Sequence, residues 1–451
     1  MARTSATSSG QWRVAEPARA GRDDLMSLPT AMLDNILGRL PLDDLVRTGR
    51  LSRAWRRHWQ SVANLDIRFS EGSAAASNRF VLWRCAAPLR SFTARVRPSY
   101  FRSARWLLTL ARKRVEKLVL YFDDRDVLGP ALFSCRVLTH LELHGSFQIF
   151  GDCHLLRAPQ GFGGFPNLVT LVLQNVVLPF RGGRAQLGHL VSSAPHLTVL
   201  SLDNVGTGLL YDTGSPGEKA CFIQAPNLRV LKLIMPFDNG CRLREELPLL
   251  EEAAISIDDL SDTSHFIETF RRISTVKMLT FLTHIDKRNL LDGISWKFQN
   301  LRVAHLAVNF GKLPSIMSIF SLLRFGPCIE ELEIEVDFIS MLRRKVTLET
   351  SDDDIGEDNL EADISDDLFA NLKHISLDGM KYLPNDRWFM KFVLSKTGSL
   401  ESFDVTFDYL EVTESYEEAC VELEMCQKAS SQAKLTLKHR GEEPAPNLEG
   451  F

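Results

Sequence analysis

An apolar residue followed at +3 and +5 by two more recurs along most of the chain. The triplets are Leu89/Phe92/Ala94, Val115/Leu118/Leu120, Leu138/Leu141/Leu143, Leu168/Leu171/Leu173, Leu197/Leu200/Leu202, Leu228/Leu231/Leu233, Leu250/Ala253/Ile255, Val276/Leu279/Phe281, Leu301/Ala304/Leu306, Ile329/Leu332/Ile334, Leu372/Ile375/Leu377 and Leu400/Phe403/Val405. Their starts are 26, 23, 30, 29, 31, 22, 26, 25, 28, 43 and 28 residues apart. In a short strand, residues at +3 and +5 point to one side and +2, +4 and +6 to the other. Parallel stacking of such strands predicts a solenoid with an apolar interior and an inner concave surface built from the outward positions. Pro in FPNL, APHL and APNL marks the turn before each strand. The units starting at 89, 250 and 276 are the weakest matches, so eight or nine true repeats are expected.

This spacing sits in or just above the range of about 20–29 residues that characterises leucine-rich repeats. One departure bears on curvature. The Asn or Cys usual at position nine is replaced by Val176 and Val205, with Asn175 and Asn204 falling one residue early. An irregular horseshoe is the expectation.

The segment Asp24 to Trp59 has a different period. Leu33, Ile36, Leu37 and Leu40 recur at i, i+3, i+4 and i+7, one stripe of a helix that Pro41 stops. Asp43 or Asp44 is placed to cap a second short helix carrying Leu45 and Val46. A third spaces Leu51, Trp55 and Trp59 by four, with Arg53, Arg56 and Arg57 on its other sides. Three helices in so short a segment cannot bury all their apolar stripes among themselves. Either the rest of the chain or a partner covers the remainder.

The string Leu28-Pro29, Leu33, Ile36-Leu37, Leu40-Pro41, Leu51-Ser52, Trp55-Arg56 and Trp59 closely resembles the F-box. The resemblance implies docking on a Skp1-type adaptor, which links to a cullin and a ubiquitin-conjugating enzyme. By that resemblance the adaptor contacts are Leu28, Pro29, Ile36, Leu37, Leu40, Pro41, Leu51 and Trp55. Leu33 and Trp59 are equally suited to the module's own core. A few central apolar anchors suffice for tight binding without any catalytic group.

The stretch from LFANLKHISLDGM to AKLTLKHR resembles the FBD-type ending of plant F-box/leucine-rich-repeat proteins, a strand, helix, strand, helix and last strand. Phe389, Phe392 and Val393 give the first of these helices its apolar stripe, and Leu435 and Leu437 alternate in the last strand. The expected fold is α/β: a three-helix F-box (24–65), an irregular repeat solenoid (80–345) and an FBD-like α+β cap (368–440). A leader (1–23) and an acidic insertion (346–367) are expected to be disordered, and residues 441–451 form a tail.

Composition then narrows the function. Forty-five per cent of residues are hydrophobic and the net charge is only −4, but the charge is polarised. Residues 1–125 hold 23 basic and 11 acidic side chains, residues 326–451 hold 12 and 29. No run approaches eighteen apolar residues, which argues against a membrane span, and the first residues lack the apolar core of a secretory signal. Eight cysteines scattered without a C-x-x-C pair read as free, mostly buried thiols of the nucleus or cytoplasm.

Candidate chemistry is sparse. His140, Glu142 and His144 occupy outward positions of one strand, with Cys153 and His154 close in sequence, a set zinc could accept. A polar strand face is the simpler reading, and no metal or other cofactor is expected. Asp352-Asp353-Asp354 with Gly356 misses the glycine position of a calcium loop, so the run Ser351–Asp367, nine acidic residues in seventeen, reads as a disordered insertion. QGFGGF lacks the lysine of a phosphate loop and reads as a flexible loop. The arginines from Arg84 to Arg125 are too scattered to indicate nucleic acid. Glu331, Glu333 and Glu335 form an acidic stripe expected to face a protein client, with Lys117 and Tyr121 toward the opposite end, and His140, Glu142 and His144 are also read as client-binding.

These readings converge on a non-catalytic substrate-recognition subunit of a Skp1–cullin–F-box ubiquitin ligase. The rival is a leucine-rich-repeat scaffold or nuclear binding protein acting outside any ligase.

Overall fold

The computed structural model describes residues 24–40, 42–59, 65–69, 89–96, 105–122, 130–145, 156, 158–178, 182–207, 221–235, 241–257, 263–282, 294–336, 366–408 and 413–440. A short 3-10 turn, Asp24–Ser27, leads into three helices: α1 (Thr30–Leu37), α2 (Leu42–Thr48) and α3 (Arg53–Trp59). Asp43 and Asp44 lie inside the first turn of α2 rather than before it, where carboxylates still favour the helix dipole. The Ser52 Oγ accepts the Trp55 N–H at 3.2 Å and caps α3.

Beyond these helices one open sheet of fourteen strands runs the length of the chain, and every pairing in it is parallel. The strands are β1 (Leu65–Phe69), β2 (Leu89–Val96), β3 (Lys117–Phe122), β4 (His140–Gly145), β5 (Thr170–Gln174), β7 (Val199–Asp203), β10 (Val230–Met235), β12 (Glu252–Ile257), β13 (Met278–Phe281), β14 (Val303–Val308), β15 (Glu331–Val336), β16 (His374–Met380), β17 (Ser402–Phe407) and β18 (Lys434–His439). The +3 and +5 residues of all twelve triplets lie in the twelve inner strands, so the units beginning at 89, 250 and 276 are genuine and the count of eight or nine was low. The sheet also starts earlier than residue 80. Between its strands, β6 (Val177–Leu178) pairs with β8 (Gly206–Thr207) and β9 (Cys221–Ile223) with β11 (Cys241–Leu243) as small accessory ribbons.

Register explains why the pattern was so regular. Leu118, Leu141, Leu171, Leu200, Leu231, Ala253, Leu279, Ala304, Leu332, Ile375, Phe403 and Leu435 are consecutive pairing partners. A slip of one residue anywhere would turn a buried column outward. Each fully buried leucine of this kind stabilises by about 1.5–3 kcal/mol.

Two asparagine ladders fasten the turns. Asn175 and Asn204 adopt left-handed backbone angles, φ 52° and 50°, which Asn tolerates better than most residues. The Asn204 amide donates to Asn175 Oδ1 (2.8 Å), and the Asn175 amide donates to the Gly145 carbonyl (3.1 Å). Val176 and Val205 are then free to bury. At Gly145 a Cβ would stand 2.3 Å from the Asn175 carbonyl oxygen, so only glycine fits that rung. On the other end of the strands Asn227 and Asn371 donate to the carbonyls of Pro195 and Pro327, each at 2.8 Å.

Helices α4 (Arg105–Arg112), α5 (Gly183–Ser192), α6 (Thr263–Arg272), α7 (Leu313–Phe325), α8 (Pro384–Lys396) and α9 (Thr413–Met425) supply apolar side chains to the same core. Toward the C-terminus the core is aromatic: Phe320 lies 6.1 Å from Phe389, 5.9 Å from Phe392 and 6.3 Å from Phe369. The strand–helix–strand–helix–strand ending is present as β16–α8–β17–α9–β18, continuous with the repeats rather than a separate cap. Leu435 and Leu437 are only half-buried because β18 has no further neighbour. QGFGGF is a packed wedge, contrary to the flexible-loop reading. Phe162 and Phe165 are buried against Phe133, and Gly164 at φ 87° sits where a Cβ would meet Ser193.

Asn175→Ala removes two ladder bonds at a left-handed position, so it is expected to cost about 1–3 kcal/mol. Asn227→Ala, which loses one exposed bond, is expected to cost under about 1 kcal/mol. Urea titration of both variants measures the difference.

Candidate functional site

In the helical module, Leu33, Leu37, Leu45, Trp55 and Trp59 are buried, and His58 Nε2 meets Asp34 at 3.2 Å. Leu37 (1% exposed) and Trp55 (4%), read from the resemblance as contact residues, are buried in the module's own core: on α1 the stripe at i, i+3, i+4 straddles two faces and Leu37 takes the inner one, and on α3 Trp55 is buried together with Trp59. Leu28 and Leu40 are half-buried against that core. Pro41 lies outside the described residues. What the module displays is Leu25 in the 3-10 turn, Pro29 just ahead of α1, Met32 and Ile36 four residues apart on α1, and Leu51, 70% exposed, at the α2–α3 turn. Met32 and Leu25 were not singled out from sequence; the four-residue spacing of Met32 and Ile36 on α1 would have found the first, while Leu25 lies in the preceding 3-10 turn, outside that period. Exposed arginines 39, 47, 50, 53, 56 and 57 surround these apolar side chains.

The second surface is the open face of the sheet. Its outward positions form two rows that register pairing makes continuous from β3 to β18, and a third that is interrupted at β13. One row runs Lys117, His140, Thr170, Val199, Val230, Glu252, Met278, Val303, Glu331, His374, Ser402 and Lys434. The residues read as client-binding therefore lie on one face but at opposite ends. His140, Glu142 and His144 are on β4, and Glu331, Glu333 and Glu335 on β15. Between them the face is mostly uncharged, with Val172, Val199, Val230, Ala254, Met278, Val303 and Ala307 half-buried on it.

At the β4 end the polar groups form a chain. Glu142 accepts from Nε2 of His140 and from Nε2 of His144, the latter at 3.1 Å. His144 Nδ1 meets Gln174 Oε1 at 2.8 Å, Gln174 donates its amide to Asp203 at 3.3 Å, and Lys232 stands 3.6 Å from Asp203. Because Gln174 donates toward Asp203, its oxygen faces His144, and the imidazole needs a proton on both nitrogens. Burial works against the charge, but the bonds to Glu142 and Gln174 outweigh it and raise the His144 pKa above 6.5. The two histidine bonds draw the Glu142 carboxyl far below its usual 4.5, against the opposing effect of burial. Tyr121 stacks on the His144 ring at 4.6 Å. The histidine nitrogens that zinc would require are thus engaged by Glu142. Among the described residues no group of three or more His, Cys, Asp or Glu is arranged to hold a metal ion. Cys153 and His154 lie outside them.

At the β15 end, His305 reaches Glu333 at 3.1 Å, while Glu331 and Glu335 have no ion-pair partner among the described residues. Asp404 on β17 and Asp378 on β16, the latter held by Arg440 at 2.6 Å, extend the acidic area. The acidic run 351–365 lies outside the described residues. No helix among the described residues is long and apolar enough to cross a membrane.

Residues 103–334 match the family model for the LRR repeats of FBD-associated F-box protein At5g56370, and residues 25–66 match the F-box domain model. The F-box/FBD/LRR-repeat protein At1g13570 of Arabidopsis thaliana is 26% identical over 424 residues, covering 85% of this chain and 91% of the relative. The FBD-associated F-box protein At1g66310 of the same plant is 30% identical over 140 residues, 27% of this chain and 30% of the relative. Among solved structures, the Leptospira interrogans LRR protein LIC12759 is 13% identical with a TM-score of 0.28, covering 82% of this chain and 95% of that one.

The β4 network makes a pH prediction. Glu142 carries a lowered pKa, so its stabilisation is present above its ordinary 4.5 and fades in acid; His144 carries a raised one, so its stabilisation is complete below 6.5 and fades as pH rises through its folded value. Glu142→Gln is expected to lose about 1.5–3 kcal/mol near pH 5.5 and visibly less at pH 8.5, read by urea titration at both.

Proposed function

The chain belongs to the FBD-associated F-box proteins with leucine-rich repeats, and on that premise we propose that it is a substrate-recognition subunit of a Skp1–cullin–F-box ubiquitin ligase. The helical module docks a Skp1-type adaptor, the adaptor joins a cullin, and the repeat face holds a protein client close to the conjugating enzyme. The observation that carries this reading is the exposure of Leu25, Pro29, Met32, Ile36 and Leu51 on a module that buries Leu33, Leu37, Leu45, Trp55 and Trp59. Exposed apolar residues grouped on a small module are what a docking surface requires. No catalytic residue is needed from this chain, because holding two proteins together raises the effective concentration of lysine and thioester. The nucleus or cytoplasm is where such a complex with free thiols would work.

The client is taken to lie along the open face, with the unpaired Glu331 and Glu335 favouring a basic segment at that end. Val199, Val230, Met278 and Val303 offer apolar contact in the middle.

Two measurements test the reading. Ile36→Asp with Leu51→Asp, both at exposed positions, is expected to weaken binding to a purified plant Skp1-type protein by at least about 100-fold, with an unchanged circular dichroism spectrum. Failure of the unaltered chain to bind would favour a scaffold outside the ligase. Replacing Glu331, Glu333 and Glu335 together by Lys is expected to leave adaptor binding intact. The proteins that accumulate on ligase inhibition with the unaltered chain should then no longer depend on it. If that set and its salt sensitivity stayed the same, the acidic end would play no part in client choice.

A further inference from the structure

Six free cysteines fall among the described residues, and two of them are neighbours. Cys221 and Cys241 are direct register partners in the ribbon formed by β9 and β11. Their α-carbons face each other across a parallel pair, a separation of about 4.8 Å. That lies inside the window of about 4.4–6.8 Å that a disulfide spans. Both side chains project to the same side of the ribbon, Cys221 buried and Cys241 half-buried, so one sulfur is protected and the other reachable. Helix α5 lies against this ribbon. A Cβ added at Gly188 would come within 3.4 Å of the Phe222 carbonyl oxygen and 3.9 Å of the Cys221 sulfur. The Arg184 side chain is on the same helix, and its Nε is buried without a hydrogen-bond partner.

We propose that Cys221 and Cys241 form a redox-reactive dithiol, a modification site at which a hydroperoxide converts the pair to a disulfide. The surroundings favour the thiolate. The Cys241 thiol bonds to Cys221 and, with Arg184 and the Gly188 amide, draws the Cys221 pKa below its ordinary value despite burial. The first proton lost belongs to the pair rather than to either sulfur. The reachable Cys241, which can pass its proton to Cys221 across that bond, is the sulfur that meets the peroxide. Its sulfur attacks the peroxide, the O–O bond breaks, and a sulfenic acid and an alcohol or water result. The Cys221 thiolate then attacks the sulfenic sulfur, an S–S bond forms, and hydroxide leaves to take up a proton as water. In sum, two thiols give up two electrons and two protons, and the hydroperoxide takes both. Cys135 is the internal contrast: it is isolated, and burial pushes its thiol up to about 12.

The test uses the reduced full chain with hydrogen peroxide as the oxidant, alkylation of remaining thiols, digestion without reductant and mass spectrometry. The expected result is a peptide linked through Cys221 and Cys241, formed at least about ten-fold faster than Cys135 is modified and cleaved by dithiothreitol. Arg184→Gln, on the outside of the core, is expected to slow the linkage. In Cys221→Ser the Cys241 sulfur should instead accumulate as sulfenic and sulfinic acid. The proposal is overturned if the unaltered chain yields no such linked peptide, or if the two sulfurs oxidise independently, each to sulfinic acid, at the rate of Cys328.

Discussion

The alternation of side chains in a parallel strand is the constraint on which everything else in this protein rests. Each repeat contributes two or three apolar residues to one side of its strand and whatever remains to the other. Fourteen strands in one ladder leave no freedom to shift by a single residue, since the whole buried column would face solvent. The buried side therefore dictates the open side. Rows such as Val199, Val230, Glu252, Met278, Val303 and Glu331 are neighbours in space because Leu200, Leu231, Ala253, Leu279, Ala304 and Leu332 are neighbours in the core.

Polar groups solve a second problem, that of ending each strand without leaving backbone unsatisfied. Left-handed Asn175 and Asn204 turn the chain and bond both to each other and to the preceding unit. The network from His140 to Lys232 uses side chains in the same lateral way, one strand to the next. Both devices work only between stacked units, so they rigidify the array without adding anything to an isolated repeat. Glu422 plays the corresponding part at the far end. It accepts Arg387 at 2.8 Å and also Tyr382 and Lys391, holding α9 to α8, and these bonds take its pKa down to about 2 against the opposing effect of burial.

What could be read from sequence divides along the same line. The triplets were legible because period two is a local property, and even the units with Ala253 and Ala304 kept it. The strand at Leu65–Phe69 was missed although Val62, Leu65 and Ile67 carry the same spacing, because a boundary drawn at 65 to close the helical module hid them. The accessory ribbons, two and three residues long, are too short for any period to register. On α1, periodicity placed Ile36 and Leu37 on one stripe and could not say which faces inward, since a helical stripe is wide enough to hold both. The pairing of Cys221 with Cys241 depends on the stacking of two connections and has no signature in local spacing. The charge asymmetry was legible, but the placement of Glu331 and His140 at opposite ends of a single face required the ladder.

The interval of 43 residues between the tenth and eleventh triplets leaves the pairing of β15 with β16 unbroken, Glu331 opposite His374 and Ile334 opposite Leu377. The additional residues between these two strands leave that rung intact. Connection length and the composition of the open face are thereby two separate variables, and either can change while the other is held constant.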